Sequence, residues 1–390
     1  MRLLVVDDDS MLLAGLRRVI PASRRHWQVS FATSSAEALS HMESQPVDAV
    51  LTDLYMPHVG GAELLDIVRR RWPHALRVLC SGSFDRVAVL DLLVVAHRAL
   101  EKPYVVAELT TLLEDSLRVP LDPARAAGGG DDNGNDEGEL DVVRLAAIAG
   151  MAPPGADRAK RRAVPAPPAA AAAAAAAQGN PWQCLLAMQA EASPLVPTAR
   201  HALDLPRALA ALGSVCLADP YPAQDRADPA SLGDHERERE RAHVTGIGRR
   251  SAVAAALAHE IAGALVAPGG STTQASTLAH ASALLAAVAS PALPHDAPID
   301  LVLARSARVL AMRGVHGSVV DTILSARSVS DTWNDIAMAV RLAVDLAHRP
   351  EAHAIRPDLH RWLHDAGLAG CLPGWQEQGR LRDHALDAAA

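Results

Sequence analysis

Asp7, Asp8 and Asp9 stand in a row at the end of the apolar run Leu3–Val6, and each ionised carboxylate raises the cost of ionising the next. Like charge gathered in this way calls for a cation. Three other apolar runs end in complementary chemistry: "LTDLYMP" carries Asp53, "CSGS" carries Ser81 and "LEKP" carries Lys102. If these runs are strands of one open parallel sheet, their carboxyl ends lie along one edge, where such sheets bind ligands. Three carboxylates, those of Asp7, Asp8 and Asp53, then converge with a hydroxyl and an ammonium. Oxygen donors with room for water suit Mg²⁺, which keeps part of its hydration shell and takes one or two carboxylates plus phosphate oxygens.

The elements that must position these residues alternate along the first 118 residues. Short leucine-rich or β-branched runs predict strands near Leu3–Val6, Gln28–Ala32, Ala49–Thr52, Arg77–Cys80 and Arg98–Leu100. Helical patterns fall between them, the last near Val105–Leu117. This is the signature of a doubly wound α/β domain with five parallel strands. From 119 to 179 the character changes. "AAGGGDDNGNDEGE" combines glycine with acid and is too polar to fold alone, while "VPAPP" and the alanines Ala169–Ala177 are of low complexity. A linker is expected there, with a short helix over 140–151 bridging the domains. From 180 to about 380 the pattern is helical almost throughout, with breaks near Pro194–Pro197, Pro220–Pro222, Gly269–Gly270 and Pro291–Pro298.

Net charge is −8 and arginines are dispersed among acids, which argues against a general nucleic-acid binder. Aromatics make up only 3% of the chain, so its core must pack from thin, alanine-rich side chains. The cysteines, Cys80, Cys184, Cys216 and Cys371, are far apart and suggest neither a zinc site nor a disulfide framework. The most apolar helical stretch, Ser251–Ala267, is interrupted by His259 and Glu260. A soluble, cytoplasmic protein is expected.

The strand-end set resembles the receiver domain of two-component response regulators, over about residues 1–118, and so implies a flavodoxin-like fold. The resemblance implies that Asp53 accepts a phosphoryl group from a histidine kinase or phosphotransfer protein. Asp8 and Asp53, with Asp7 through water and the backbone carbonyl of Tyr55, would hold Mg²⁺. Lys102 would pair with Asp53 or a phosphate oxygen, and Ser81 would bond the phosphate. Asp9 would sit just outside. Phosphoryl transfer needs positioning and charge neutralisation rather than a strong base, which this set supplies. One position departs: receivers usually place an aromatic three residues before the lysine, and here it is Ala99.

"SGSFDRVAVLDLLVVAHRALEKP" further resembles receivers that precede an HDOD output domain, a helical relative of the HD phosphohydrolases that has generally lost their metal ligands. "RRSAVAAALAHEIAG" and "LAHASALLAAVAS" resemble the helices that bear those ligands in the enzymes, and Arg250 and His280-Ala281 stand where a His and a His-Asp pair would be needed. The literal pair His364-Asp365, with His360 one turn earlier, reads as an exposed helix face. No catalysis is expected in this half. "DHERERERAH" (234–243) reads as a solvated helix start, and Trp182, Trp333, Trp362 and Trp375 as packing anchors. The leading reading is a response regulator whose receiver controls a protein-binding, HDOD-like helical domain. The alternatives are a receiver-linked HD-type cyclic-dinucleotide phosphodiesterase and a DNA-binding transcriptional regulator.

Overall fold

The computed structural model describes residues 1–82, 92, 95–119, 180–191, 234–265, 272–293, 297–327, 334–348 and 355–388. The linker expected over 119–179 and its helix at 140–151 lie, save for Val119, outside the described residues, as do the breaks at 194–197, 220–222 and 269–270 and Trp333. The described residues fall into two compact units, one carrying a sheet and one carrying most of the helices from Trp182 onward.

In the first unit, β1 (Arg2–Val6), β2 (Gln28–Ala32), β3 (Ala49–Asp53), β4 (Leu76–Ser81) and β5 (Arg98–Glu101) form one sheet in the order β2-β1-β3-β4-β5. Every neighbouring pair is parallel. The strand bounds match the sequence expectation to within a residue or two, because runs such as "LLVV" and "AVL" are buried in unbroken stretches, as strands covered on both faces must be. Helices α1 (Ser10–Ser23), α2 (Ser35–Ser44), α3 (Gly61–Arg71) and α4 (Val106–Leu117) accompany the sheet. Leu13, Leu16 and Ile20 of α1 and Leu109, Leu112 and Leu113 of α4, at helical spacing, join Leu3, Val5, Leu51, Val78 and Cys80 in one core cluster.

Most of the second unit is built from α5 (Pro181–Glu191), α6 (Asp234–Leu265), α7 (Thr272–Leu285), α8 (Ile299–Met312), α9 (Gly317–Arg327), α10 (Asp335–His348), α11 (Pro357–Asp365) and α12 (Leu372–Ala388), with 3₁₀ turns at Ser290–Ala292 and Ala369–Cys371. The charged run at 234–243 is the start of α6, and the proline-rich break lies between the 3₁₀ turn and α8. Helix α6 packs on α7, α10 and α12. Its buried Ala254, Ala258 and Ala262 recur every fourth residue, as do Ala279 and Ala283 on α7. Thin ridges let the backbones approach closely, which is how an aromatic-poor sequence fills a core.

Trp182, Trp362 and Trp375 are buried, as anchors should be. The Trp182 indole lies 3.7 Å from where a Cβ of Gly248 would stand and donates from Nε1 to the Val288 carbonyl at 3.1 Å. Among the described residues, the stretch with the length and composition of a membrane span is Gln274–Ala292, and 61% of its window is buried in the fold, as in a core helix.

Candidate functional site

Strand β1 delivers Asp7 and β3 delivers Asp53 to adjacent strand ends, with exposures of 5% and 9%. Two carboxylates buried side by side would repel strongly. Lys102, just past β5, resolves the conflict: its Nζ donates to Asp7 Oδ2 at 2.7 Å and also to Asp53 Oδ1. Burial works to lower the ammonium's pKa, but the hydrogen bonds and charges of Asp53 and Asp7 outweigh it and hold the group above the usual lysine value. The second Asp53 oxygen, Oδ2, accepts the Tyr55 backbone N–H at 2.8 Å. The Asp53 carboxylate is thus held at both oxygens.

The loop after β3 is shaped for this. A Cβ at Gly61 would overlap the Asp53 carbonyl oxygen and come within 2.9 Å of its carbonyl carbon, so only glycine lets α3 start so close to the Asp53 peptide. On the other side, the Lys102 N–H donates to the Ser81 carbonyl at 2.7 Å, tying the lysine segment to the end of β4. The Lys102–Pro103 peptide is cis.

Of the residues expected from sequence, Asp7, Asp53 and Lys102 are in direct contact, and Ser81 is fully buried at the neighbouring strand end. Asp8 is exposed at the rim, and the Tyr55 side chain faces solvent. Asp9 serves the helix rather than the site, because its Oδ1 accepts the Met11 and Leu12 N–H groups at 2.8 and 3.1 Å and so caps α1. Asp7 Oδ1 in turn accepts the Asp9 N–H at 2.9 Å, so the acid triplet is locked by its own backbone. Sequence reasoning missed Cys80 and Tyr104, whose side chains lie in the field of Asp7 and Asp53. It also missed Gly61, although the pair Gly60-Gly61 was a visible sign of close backbone approach.

The donor chemistry suits a hard divalent cation. Asp7, Asp8 and Asp53 carry three negative charges against one ammonium, and all offer oxygen. Among the described residues no three acid, imidazole or thiol side chains stand close enough to share an ion.

Residues 3–114 match the family model of the response regulator receiver domain. The hydrogenase transcriptional regulatory protein HoxA of Cupriavidus necator is 40% identical over 82 residues, 21% of this chain and 16% of that protein. The transcriptional regulatory protein PrrA of Mycobacterium leprae is 37% identical over 120 residues, 30% of this chain and 50% of that protein. This chain therefore spans half or less of the length of these curated relatives. A solved signal receiver domain of an HD domain-containing protein from Pseudomonas fluorescens Pf-5 is 26% identical, with 30% of this chain and 94% of that chain covered and a TM-score of 0.27. The parallel five-stranded sheet, the Asp7–Lys102–Asp53 contact and the family match agree that the N-terminal part of the chain is a response regulator receiver domain, a module of two-component signalling.

Proposed function

We propose that Asp53 is the phosphoacceptor of this receiver, fed by a histidine kinase or phosphotransfer protein. The observation that carries the reading is the Lys102 ammonium joining the buried Asp7 and Asp53 carboxylates at adjacent strand ends. Asp53 Oδ1 attacks phosphorus, the bond to the donor's imidazole nitrogen breaks, and the imidazole leaves with a proton from solvent. The Tyr55 N–H keeps Oδ2 in place, and Lys102 stays beside the oxygen that becomes the bridge of the acyl phosphate, where its charge stabilises the phosphoryl group. Asp7, Asp8, Asp53 and the Tyr55 carbonyl would hold Mg²⁺, which supplies further neutralisation of the phosphoryl oxygens. Ser81, at the end of β4, would bond the phosphoryl group.

The helical unit we read as an HDOD-like, non-catalytic output that binds another protein. Arg250 and Ala281 occupy positions where the resemblance puts metal ligands, and His364 is 84% exposed on its helix face, away from any core. Among the described residues Cys80, Cys184 and Cys371 are outside any disulfide, which suits a reducing cytoplasm. Incubation with acetyl phosphate and Mg²⁺ tests the first reading. Label stable in acid and labile in base is expected on the unaltered chain and absent from Asp53→Asn; label that persists in the variant refutes it.

A further inference from the structure

The Tyr55 N–H that holds Asp53 Oδ2 belongs to a loop under strain. Between β3 and α3, φ of His58 is 68°, in the left-handed region, and the Val59 N–H donates to the Pro57 carbonyl at 2.9 Å. A hydrogen bond across three residues with positive φ at the centre is the strained form of the γ-turn. A residue with a Cβ stays in it only where its surroundings enforce it. Three residues separate His58 from Tyr55, so whatever holds the turn also bears on the peptide that serves Asp53.

The loop is fastened at its base by its own neighbours: the Gly61 N–H donates to the Leu54 carbonyl at 3.0 Å, and the buried Thr52 hydroxyl lies 3.9 Å from the Met56 sulfur. Its far side is reached from another element. Ser35, the first residue of α2 and 4% exposed, donates its hydroxyl to the Val59 carbonyl at 2.9 Å. The helix itself does not call for serine at that place. Its N-terminus is capped by Ser34, whose hydroxyl accepts the Glu37 N–H at 3.2 Å, and alanine has the higher helix propensity. A buried hydroxyl costs free energy unless it is bonded, and the Val59 carbonyl supplies that bond. Without it His58 is free to leave its strained φ, and the displacement runs back through Pro57 and Met56 to Tyr55.

We propose that Ser35 is a positioning residue: its hydrogen bond to the Val59 carbonyl holds the strained turn at His58, and so keeps the Tyr55 peptide where its N–H meets Asp53 Oδ2. The inference rests on the reading of Asp53 as phosphoacceptor. The chain has three tyrosines, Tyr55, Tyr104 and Tyr221, so a ¹⁵N-tyrosine label gives at most three amide signals, and the Tyr55 signal is the one lost in Tyr55→Phe. In the full-length chain, Ser35→Ala is expected to shift the Tyr55 amide proton upfield and to speed its exchange with water. Labelling by acetyl phosphate and Mg²⁺ should slow on the order of tenfold, as when a catalytic group is slightly misplaced. His58→Gly removes the strain, because glycine takes positive φ freely, so in that background Ser35→Ala should cost much less in both measurements. The proposal is overturned if Ser35→Ala leaves the Tyr55 amide or the labelling rate at its unaltered value, even where the urea midpoint falls, since that marks a purely structural role. It is also overturned if the loss is as large with glycine at position 58 as with histidine. Absence of label on the unaltered chain instead sinks the phosphoacceptor reading, and the Tyr55 amide still decides whether Ser35 holds the loop.

Discussion

Replacing Lys102 with methionine would strip the buried Asp7 and Asp53 carboxylates of the cation that joins them. Leaving buried charge uncompensated costs about 3–5 kcal/mol, and the lower end applies because the lysine side chain is 25% exposed. Urea unfolding should therefore show Lys102→Met destabilised by about 3 kcal/mol, whereas Asp53→Asn, which relieves a like-charge contact, should be neutral or stabilising. Because the ammonium is held above its ordinary value, its contribution is fully present below that value. It is lost only as pH rises through the higher, folded-state value. Between pH 6 and 9 the difference between the unaltered chain and Lys102→Met should thus stay flat; a gap that closes within that range would contradict the ion pair. At this scale the acids and the lysine were legible from sequence because each sits at the end of an apolar run. Tyr104 and Cys80 were not, since side chains that enter the field of Asp7 and Asp53 from β4 and from the segment after β5 leave no periodic trace.

The elements were legible where periodicity was strong. Strands β1, β3 and β4 are runs of apolar residues buried on both faces, and little else can be made of them. What the pattern did not reveal is how their ends are finished. The triplet Asp7–Asp9 read as a uniform acidic cluster, yet one member is an ion-pair partner, one faces solvent and one caps a helix. That division follows from alternation along the strand and from the turn into α1, which only the folded backbone supplies. Gly61 marks the other finished end. Its hydrogen side faces the Asp53 peptide, so Gly61→Ala must displace either α3 or the end of β3. Overpacking of this kind costs about 1–3 kcal/mol. Because the displaced peptide belongs to Asp53, labelling by acetyl phosphate should fall as well. A Gly61→Ala chain that matches the unaltered one in both urea midpoint and labelling would show that the loop relaxes freely.

Across the whole molecule the two units draw on different resources. The sheet unit is held by long aliphatic side chains and surface pairs such as Arg2–Asp48, the helical unit by alanine ridges and a few indoles. Composition hinted at this contrast, because so few aromatics must be spent on anchoring, but the partners of each indole depended on tertiary contacts such as Trp362 Nε1 to Asp335 Oδ1 at 3.0 Å. The difference extends to pH. In the helical unit His280 of α7 meets His259 of α6 edge to face, ring centroids 6.1 Å apart. Burial first, then the neighbouring imidazole, lowers the His280 pKa, while its hydrogen bond to the Ala255 backbone opposes the shift. A lowered histidine binds its proton more readily in the unfolded chain, so stability is unaffected above the ordinary value of 6.5 and falls as pH drops below it. In the sheet unit the opposing burial and Arg2 contacts leave Asp48 below its ordinary 3.8, so its contribution is retained until about pH 4 and lost only under stronger acid. Between about pH 6.5 and 4.5 the His280 loss is therefore separable from that of Asp48. Urea unfolding of the full chain at pH 7.5 and 5.5, followed in the helical unit, should show a drop that His280→Gln reduces. An equal drop in the variant would assign the pH dependence to other histidines and leave the α6–α7 imidazole pair without a role in stability.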